Sequence, residues 1–292
     1  MSLDLVNLRR VISNMILKGS PKRRISECIV VAGQAGNQHV IAKTRDRNYK
    51  PDLKLIRELF PNNLEVVYML DSKTKFLEGM NSQGLGILNS TLMVYEDENP
   101  LQGGSQKNYG IAIMKALLQS DIQAAIEILN DPTDGLEGHT IIGIAEEIYV
   151  LERTGHHDTV INKLDPAAGF DVRTNHGLAH PDAGYTIKDK PDDYLSSKIR
   201  KATAELKLGN INNYLDIAPA LLSRGFEKDS NFNTFRRTDN LRTTSQVTMN
   251  LPQLEFMFYV FPNECTFEGI EDNTPQDYNP LINVRIFKWN EN

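Results

Sequence analysis

The sequence predicts an α+β fold in which two β-sheets lie between layers of helices. Three observations carry that expectation. Helical stripes and short β-branched runs come in blocks, in the order helix, strands, helix pair, strands, helix pair, strands. That order does not fit the regular strand–helix alternation of a parallel sheet. The length of 292 residues, 40% of them hydrophobic, suffices to bury the several faces such layers need.

Leu5, Leu8, Ile12, Met15 and Ile16 recur at helical spacing with Ser2 as N-cap, and Gly19, Ser20 and Pro21 end the helix. "PKRR" then reads as an exposed basic linker, so residues 1–27 form a helix and tether apart from a main domain over 28–292. From Cys28 the period changes: "CIVVAG" and "HVIAK" are strands joined by "QAGNQ", a hairpin signal. Residues 64–70 give another strand, and "GMNSQGLGILNSTLMV" two more about the Asn81–Gly84 turn. Helices are expected over 108–119 and 121–130, the second capped by Asp121 and striped by Ala124, Ala125, Ile128 and Leu129. "HTIIGIAEEIYVLE" returns to strands about a central turn. Residues 194–208 and 211–223 read as helices, and "SQVTMNL", "EFMFYVF" and "INVRIFKW" as closing strands. Loops at 49–63 and 177–193 are left to build a pocket.

The net charge of −6 makes no case for nucleic-acid or anionic-membrane partners. No apolar stretch approaches the roughly 18 residues of a membrane span. The arginine-containing, amphipathic start lacks a secretory core and cleavage site, so a cytoplasmic location is expected, with an organellar presequence as the alternative. Two cysteines, Cys28 and Cys265, cannot make a disulfide framework, which points to a reducing compartment. A homo-oligomer is compatible with this composition.

A cysteine opening a strand, an Arg-Asn pair ending its hairpin, a Gly-Met-Asn turn and a Thr-Asn-His run follow one another along the chain. The stretches "CIVVAGQAGNQHVIAKTRDRNY", "EGMNSQGLGILNS", "GLEGHTIIGIAEEIYVLE", "RTNHGLAHP" and "SSKIR" together resemble the N-terminal-nucleophile (Ntn) hydrolases of the penicillin acyltransferase (peptidase C45-like) and choloylglycine hydrolase type. The resemblance implies a four-layer αββα sandwich whose first strand begins with the nucleophile, everything before it being removed. The Cys28 thiol would attack the Glu27 carbonyl, an N-to-S acyl shift would give a thioester, and water would release residues 1–27. The freed α-amine, with a pKa of about 8, would serve as base beside its own thiol. An amidohydrolase or acyltransferase follows, acting on a linear amide of a small molecule or peptide, with no cofactor and no metal.

Each residue so implied also has an ordinary reading. Cys28 is the implied nucleophile or a buried strand thiol. Arg47 is the cation that favours the thiolate or a solvated hairpin charge. Asn175 completes the oxyanion hole or is a turn asparagine before Gly177. His176 travels with it and braces the loop. Asn81 and Asn89 flank a hairpin that would approach the nucleophile and bind substrate, although Asn81 is equally good turn chemistry. Arg200 supports the site or lies on a solvated helix face. The resemblance further implies an Asp three residues after Arg47, where this chain has Lys50; Asp46 or Asp52 would then anchor the α-amine and substrate. Cys265 has no matching context and reads as structural.

His176 and His180 stand four apart, a zinc-like spacing on a helix, but Gly177, Pro181 and Gly184 argue for a loop. "GGSQKN" lacks the Gly-Lys-Ser/Thr ending of a phosphate loop. Two further functions remain open: an interaction protein that keeps the Glu27–Cys28 bond, and self-cleavage with no external substrate.

Overall fold

The computed structural model describes residues 26–60, 63–92, 109–155, 157–226, 230–238, 241–261, 263–268 and 284–288. Strand β1 (Ser26–Ala35) turns at Gly36, φ +61°, into β2 (Gln38–Arg47), and the two pair without interruption from Ser26 opposite Arg47 to Ala35 opposite Gln38. Next come β3 (Asp52–Phe60), β4 (Leu64–Asp71), β5 (Leu77–Asn81) and β6 (Gly86–Ser90), the last two folded about the expected Asn81–Gly84 turn. Helices α1 (Tyr109–Leu117) and α2 (Ile122–Leu129) follow, with the Asp121 carboxylate accepting from the Gln123 and Ala124 amides as N-cap. Strands β7 (Gly138–Gly143), β8 (Ile148–Arg153), β9 (Val160–Lys163) and β10 (Asp171–Arg173) precede α3 (Pro191–Leu208) and the short α4 (Ile217–Leu221). The chain then runs through β11 (Arg242–Asn250), β12 (Glu255–Val260), β13 (Thr266–Glu268) and β14 (Val284–Lys288).

One sheet has the order β10-β1-β2-β11-β12-β14 and the other β13-β3-β4-β5-β6-β7-β8-β9. Among the described residues every strand pairing is antiparallel except β13 on β3. Side-chain alternation along the strands builds the layers. Val30 and Ala32 of β1 face the second sheet together with Ile41, Val247 and Phe258, and meet Val67, Met69, Met80, Leu88 and Val150 there. Ile29, Val31, Val40 and Ala42 point the opposite way, onto Ala204, Leu208, Ile217 and Leu221 of α3 and α4. The far face of the second sheet, with Val66, Tyr68, Leu77 and Ile87, packs on Ile113, Leu117, Ala125 and Leu129 of α1 and α2. At about 1.5–3 kcal/mol for each fully buried aliphatic side chain, these three seams hold helix, sheet, sheet and helix together. This is the αββα layering that the sequence predicts.

Local expectations change at several points. Residues 52–60, expected as loop, form β3: Leu53 and Leu55 are buried while Lys54 and Ile56 are half-buried. Its charges Lys54, Arg57 and Glu58 hide the period; Lys54 is paired with Glu268 of the three-residue β13, which among the described residues is the strand on that side. Residues 211–223 are not one helix but a 3-10 turn at Tyr214–Asp216, capped by Asn213, followed by α4. The helix expected within residues 1–27 lies outside the described residues. The strand itself starts at Ser26, so Glu27 and Cys28 are consecutive members of β1.

Candidate active site

Alternation at the start of β1 sends Cys28 toward the second sheet, with Val30 and Ala32, and Glu27 toward the helix layer, with Ile29. Pairing of Cys28 opposite Arg45 puts Lys43, Arg45 and Arg47 of β2 on the same inner face as the thiol. Cys28 is only 1% exposed, yet its neighbours are polar. Arg47 Nη1 donates to the Glu27 carbonyl oxygen at 3.3 Å and to the Asp46 carbonyl at 2.7 Å, and lies 3.7 Å from Cys28 Sγ. Burial works against this guanidinium's charge, but Cys28, Tyr49 and Asp71 outweigh it and hold its pKa above the usual value. Further along the strand Glu78 of β5 meets Lys43 Nζ at 2.7 Å and Arg45 Nη2 at 2.9 Å. Burial would raise that carboxyl, but Arg45 and Lys43 bring it down to about 2. Two of the three inner-face cations are thus paired with a carboxylate, and Arg47 is the one beside the sulfur.

Asn175 follows β10, the neighbour of β1. Its Oδ1 accepts from the Cys28 backbone N–H at 3.2 Å and from Arg200 Nη2 at 3.1 Å, while its Nδ2 donates to the Thr91 carbonyl at 2.9 Å. Gly184, at φ +70°, lets the chain fold back onto Asn175; a Cβ there would stand 2.5 Å from the Asn175 carbonyl oxygen. The return brings the Tyr185 N–H to that same oxygen at 2.9 Å. His176 is tied into the loop: Nδ1 is 2.8 Å from Ser197 Oγ, and its carbonyl faces His139 Nε2 at 3.0 Å. Burial first, then the charges of His139 and Lys201, push the His176 ring down to about 4, so it is neutral near pH 7.

On the other face, Glu27 is 2% exposed and fully engaged. Its Oε1 accepts from the Tyr185 hydroxyl at 2.7 Å, and its Oε2 from Arg236 Nη1 at 2.7 Å and Arg200 Nη2 at 2.8 Å. Burial alone would raise this carboxyl; Arg236 and then Arg200 hold it below the ordinary range. Asp46 shares the cluster. Its Oδ1 accepts from the Thr243 hydroxyl at 2.7 Å, and its Oδ2 lies 3.7 Å from both Arg200 Nη1 and Arg236 Nε. Burial prevails for Asp46 and raises its pKa despite both arginines.

The structure brings Cys28, Arg47 and Asn175 together, with Arg200 behind Asn175, but not in the role expected of the asparagine: its Nδ2 is taken by the Thr91 carbonyl, and its acceptor Oδ1 is what meets the Cys28 amide. Asp46 is adjacent but on the face turned away from the thiol, and the Cys28 amide goes to Asn175 instead. Asp52 accepts from the Thr266 hydroxyl, and Lys50 is exposed. Asn81 and Asn89 do not join the site. Their strand neighbours Met80 and Leu88 face the first sheet, so both asparagines face the helix layer. Asn81 Nδ2 donates to the Leu117 and Gln119 carbonyls, and Asn89 Nδ2 to the Glu137 carbonyl and Thr140 Oγ1. Cys265 is buried, with its thiol pushed up to about 11 by that burial, consistent with a structural role.

Sequence reasoning missed Arg236 and the carboxylate-binding role of Tyr185. Neither lies in a periodic element, so no pattern marks them. Lys43, Arg45 and Arg47 did carry a signal: basic residues at every second position of one strand, and so on one of its faces. A cleft of about 200 Å³ opens beside Arg47, lined also by Asn48, Tyr49, Lys50, Arg242, Thr244, Asn263 and Glu264. No cluster of three metal-ligating side chains occurs among the described residues, where His180 instead stacks on His157. No described helix is long and apolar enough to cross a membrane.

No protein-family model and no curated protein matches the chain. Among solved structures it is similar to two variants of conjugated bile acid hydrolase from Clostridium perfringens, at 13% and 12% identity and a TM-score of 0.48 for each, over 91% of this chain and 93% of that one. It is also similar to penicillin V acylase from Agrobacterium tumefaciens, at 16% identity and a TM-score of 0.46, over 80% of this chain and 82% of that one.

Proposed function

We propose that the protein is a self-processing N-terminal cysteine amidohydrolase or acyltransferase acting on a linear C–N amide bond. One observation carries this reading: Arg47 Nη1 stands 3.3 Å from the Glu27 carbonyl oxygen and 3.7 Å from Cys28 Sγ, while Asn175 Oδ1 holds the N–H of the same peptide bond. A nucleophile, a donor aimed at the carbonyl oxygen and a grip on the amide nitrogen surround one bond. In the first step Sγ bonds to the Glu27 carbonyl carbon, Arg47 takes the developing oxyanion, and the C–N bond breaks as the nitrogen gains the proton that the thiol gives up. Water then hydrolyses the thioester and releases residues 1–27. The new α-amine stays at Asn175 Oδ1, where it can take the thiol proton in later turnovers and deliver it to the leaving amine. The acyl-cysteine passes its acyl group to water or to an acceptor amine. Intact-mass measurement tests this: a mature chain of residues 28–292 that is alkylated at Cys28 is expected, and an intact chain with an unreactive Cys28 refutes it.

The buried ion pairs of Glu27 favour a second reading, in which the bond stays whole and β1 keeps its first residues. Under it Cys28→Ala leaves both chain length and biological role unchanged.

A further inference from the structure

We infer that the mature site accepts acyl groups ending in a carboxylate, of the length of a five-carbon dicarboxylic half-amide, in the pocket that Glu27 fills before cleavage. This rests on the self-processing reading above and names the substrate class of that same site. Processing and turnover use one sulfur and one carbonyl-facing donor, so the carbonyl carbon of a substrate must come where that of Glu27 stands. What lies beyond that carbon in the uncut chain is a carboxylate three methylene-length positions away. It is held at 2.7 Å by the Tyr185 hydroxyl, at 2.7 Å by Arg236 Nη1 and at 2.8 Å by Arg200 Nη2.

Departure of the prosegment leaves those three donors behind. In the uncut chain two arginines face two carboxylates, Glu27 and Asp46, all at most 2% exposed. Once Glu27 leaves, Asp46 is, among the described residues, the one fully buried carboxylate left against both, with half-buried Asp193 acting on Arg236 besides, and a buried guanidinium short of counter-charge is costly. Unused hydrogen-bonding capacity remains as well: Arg200 Nε and Nη1 have no hydrogen-bond partner even with Glu27 present. The vacated pocket is thus a preformed carboxylate site of fixed distance from the nucleophile. A neutral acyl chain of the same length would leave its donors unpaired.

In turnover, Cys28 Sγ bonds to the acyl carbon, the amide C–N bond breaks, and the thiol proton passes through the α-amine to the leaving amine. Water then adds to the thioester and yields the dicarboxylic acid and the free thiol.

The test compares glutaryl-p-nitroanilide with pentanoyl-p-nitroanilide on the mature wild-type chain, its N-terminus verified by mass. Glutaryl is expected to be preferred by at least about 30-fold in kcat/KM, the scale of leaving a buried charge pair without one partner. Arg236→Met should bring the ratio toward one. In parallel, free glutarate but not pentanoate should slow alkylation of Cys28 by iodoacetamide. A mature chain that prefers or equally accepts the pentanoyl anilide overturns the inference and leaves the self-processing reading intact. So does a mature chain that cleaves neither anilide and is not protected by glutarate. A chain that stays uncut overturns both.

Discussion

Replacing Arg47 by Met should nearly abolish self-cleavage without unfolding the domain. The guanidinium's Nη1 is the donor facing the Glu27 carbonyl oxygen, at 3.3 Å in the ground state, and can tighten as that oxygen gains charge. Losing one such donor typically slows the step by about 10²–10³, equivalent to about 2.7–4 kcal/mol of transition-state stabilisation. The methionine stem keeps most of the packing volume, while Lys43 and Arg45 remain tied to Glu78 and are not free to substitute. Arg47→Lys keeps the charge but not the planar fork, so it should fall between wild type and Arg47→Met. The assay follows the uncut and 28–292 masses over time in freshly purified protein, with circular dichroism to verify folding. A folded Arg47→Met chain that is cut at the wild-type rate would refute the assignment of this donor.

Three further outcomes follow from the geometry. In a Cys28→Ala background, which keeps the chain whole, Glu27→Gln should cost about 3–5 kcal/mol, because it leaves buried arginines short of a counter-charge; a thermal midpoint unchanged from the parent would contradict the burial of Glu27. Asn175→Ala removes the acceptor for the Cys28 N–H and Arg200 and should slow processing, whereas Asn81→Ala disturbs only the β5–β6 turn and α1 end, destabilising the fold by about 1–3 kcal/mol while well-folded chains still process at the parental rate. Finally, His176 has its folded pKa depressed from 6.5 to about 4, so the folded state binds fewer protons than the unfolded chain between those values. Stability from this group is therefore present above pH 6.5 and lost as pH falls toward 4, by about 3 kcal/mol. Burial also pushes His139 down to about 4, so His176→Gln should reduce, not remove, the slope of the urea midpoint across that window; an unchanged slope would exclude the His176 ring as a source.

The layering was legible because alternation and helical stripes are local signals, and each buried face writes its own period into the chain. Cys28, Arg47, Asn175 and Arg200 were legible through the order of the motifs that carry them. Their partners were not. Arg236 lies 209 positions from Glu27, and no periodic pattern in a loop announces that its guanidinium returns to the first strand. Asn81 misled for the opposite reason: its motif is ordinary turn chemistry, and its side chain is consumed by the Leu117 and Gln119 carbonyls at the end of α1. The strand over 52–60 was hidden because its charges break the period: Lys54 is paired with Glu268 of β13, and Arg57 and Glu58 lie beyond the three positions at which β13 pairs with β3.

The same alternation that builds the layers also divides the chemistry. Consecutive residues of a strand point to opposite faces, so the thiol and the side chain of its own acyl donor are placed in separate compartments. The inner compartment holds the sulfur and Arg47, whose neighbouring cations are neutralised by Glu78. The outer one holds two arginines whose fully buried counter-charges are Glu27 and Asp46. Breaking the Glu27–Cys28 bond changes the two unequally: the inner compartment gains an amine beside its sulfur, and the outer one loses half of its negative charge. Cleavage and specificity would then be one event, since the step that creates the base also empties the anion pocket. Under the proposed processing, Glu27→Gln, besides its cost in stability, should leave the specificity of any chain that does mature unchanged, because cleavage would remove residue 27. A Glu27→Gln chain that matures yet prefers different acyl groups from the wild type would break that link between the two compartments.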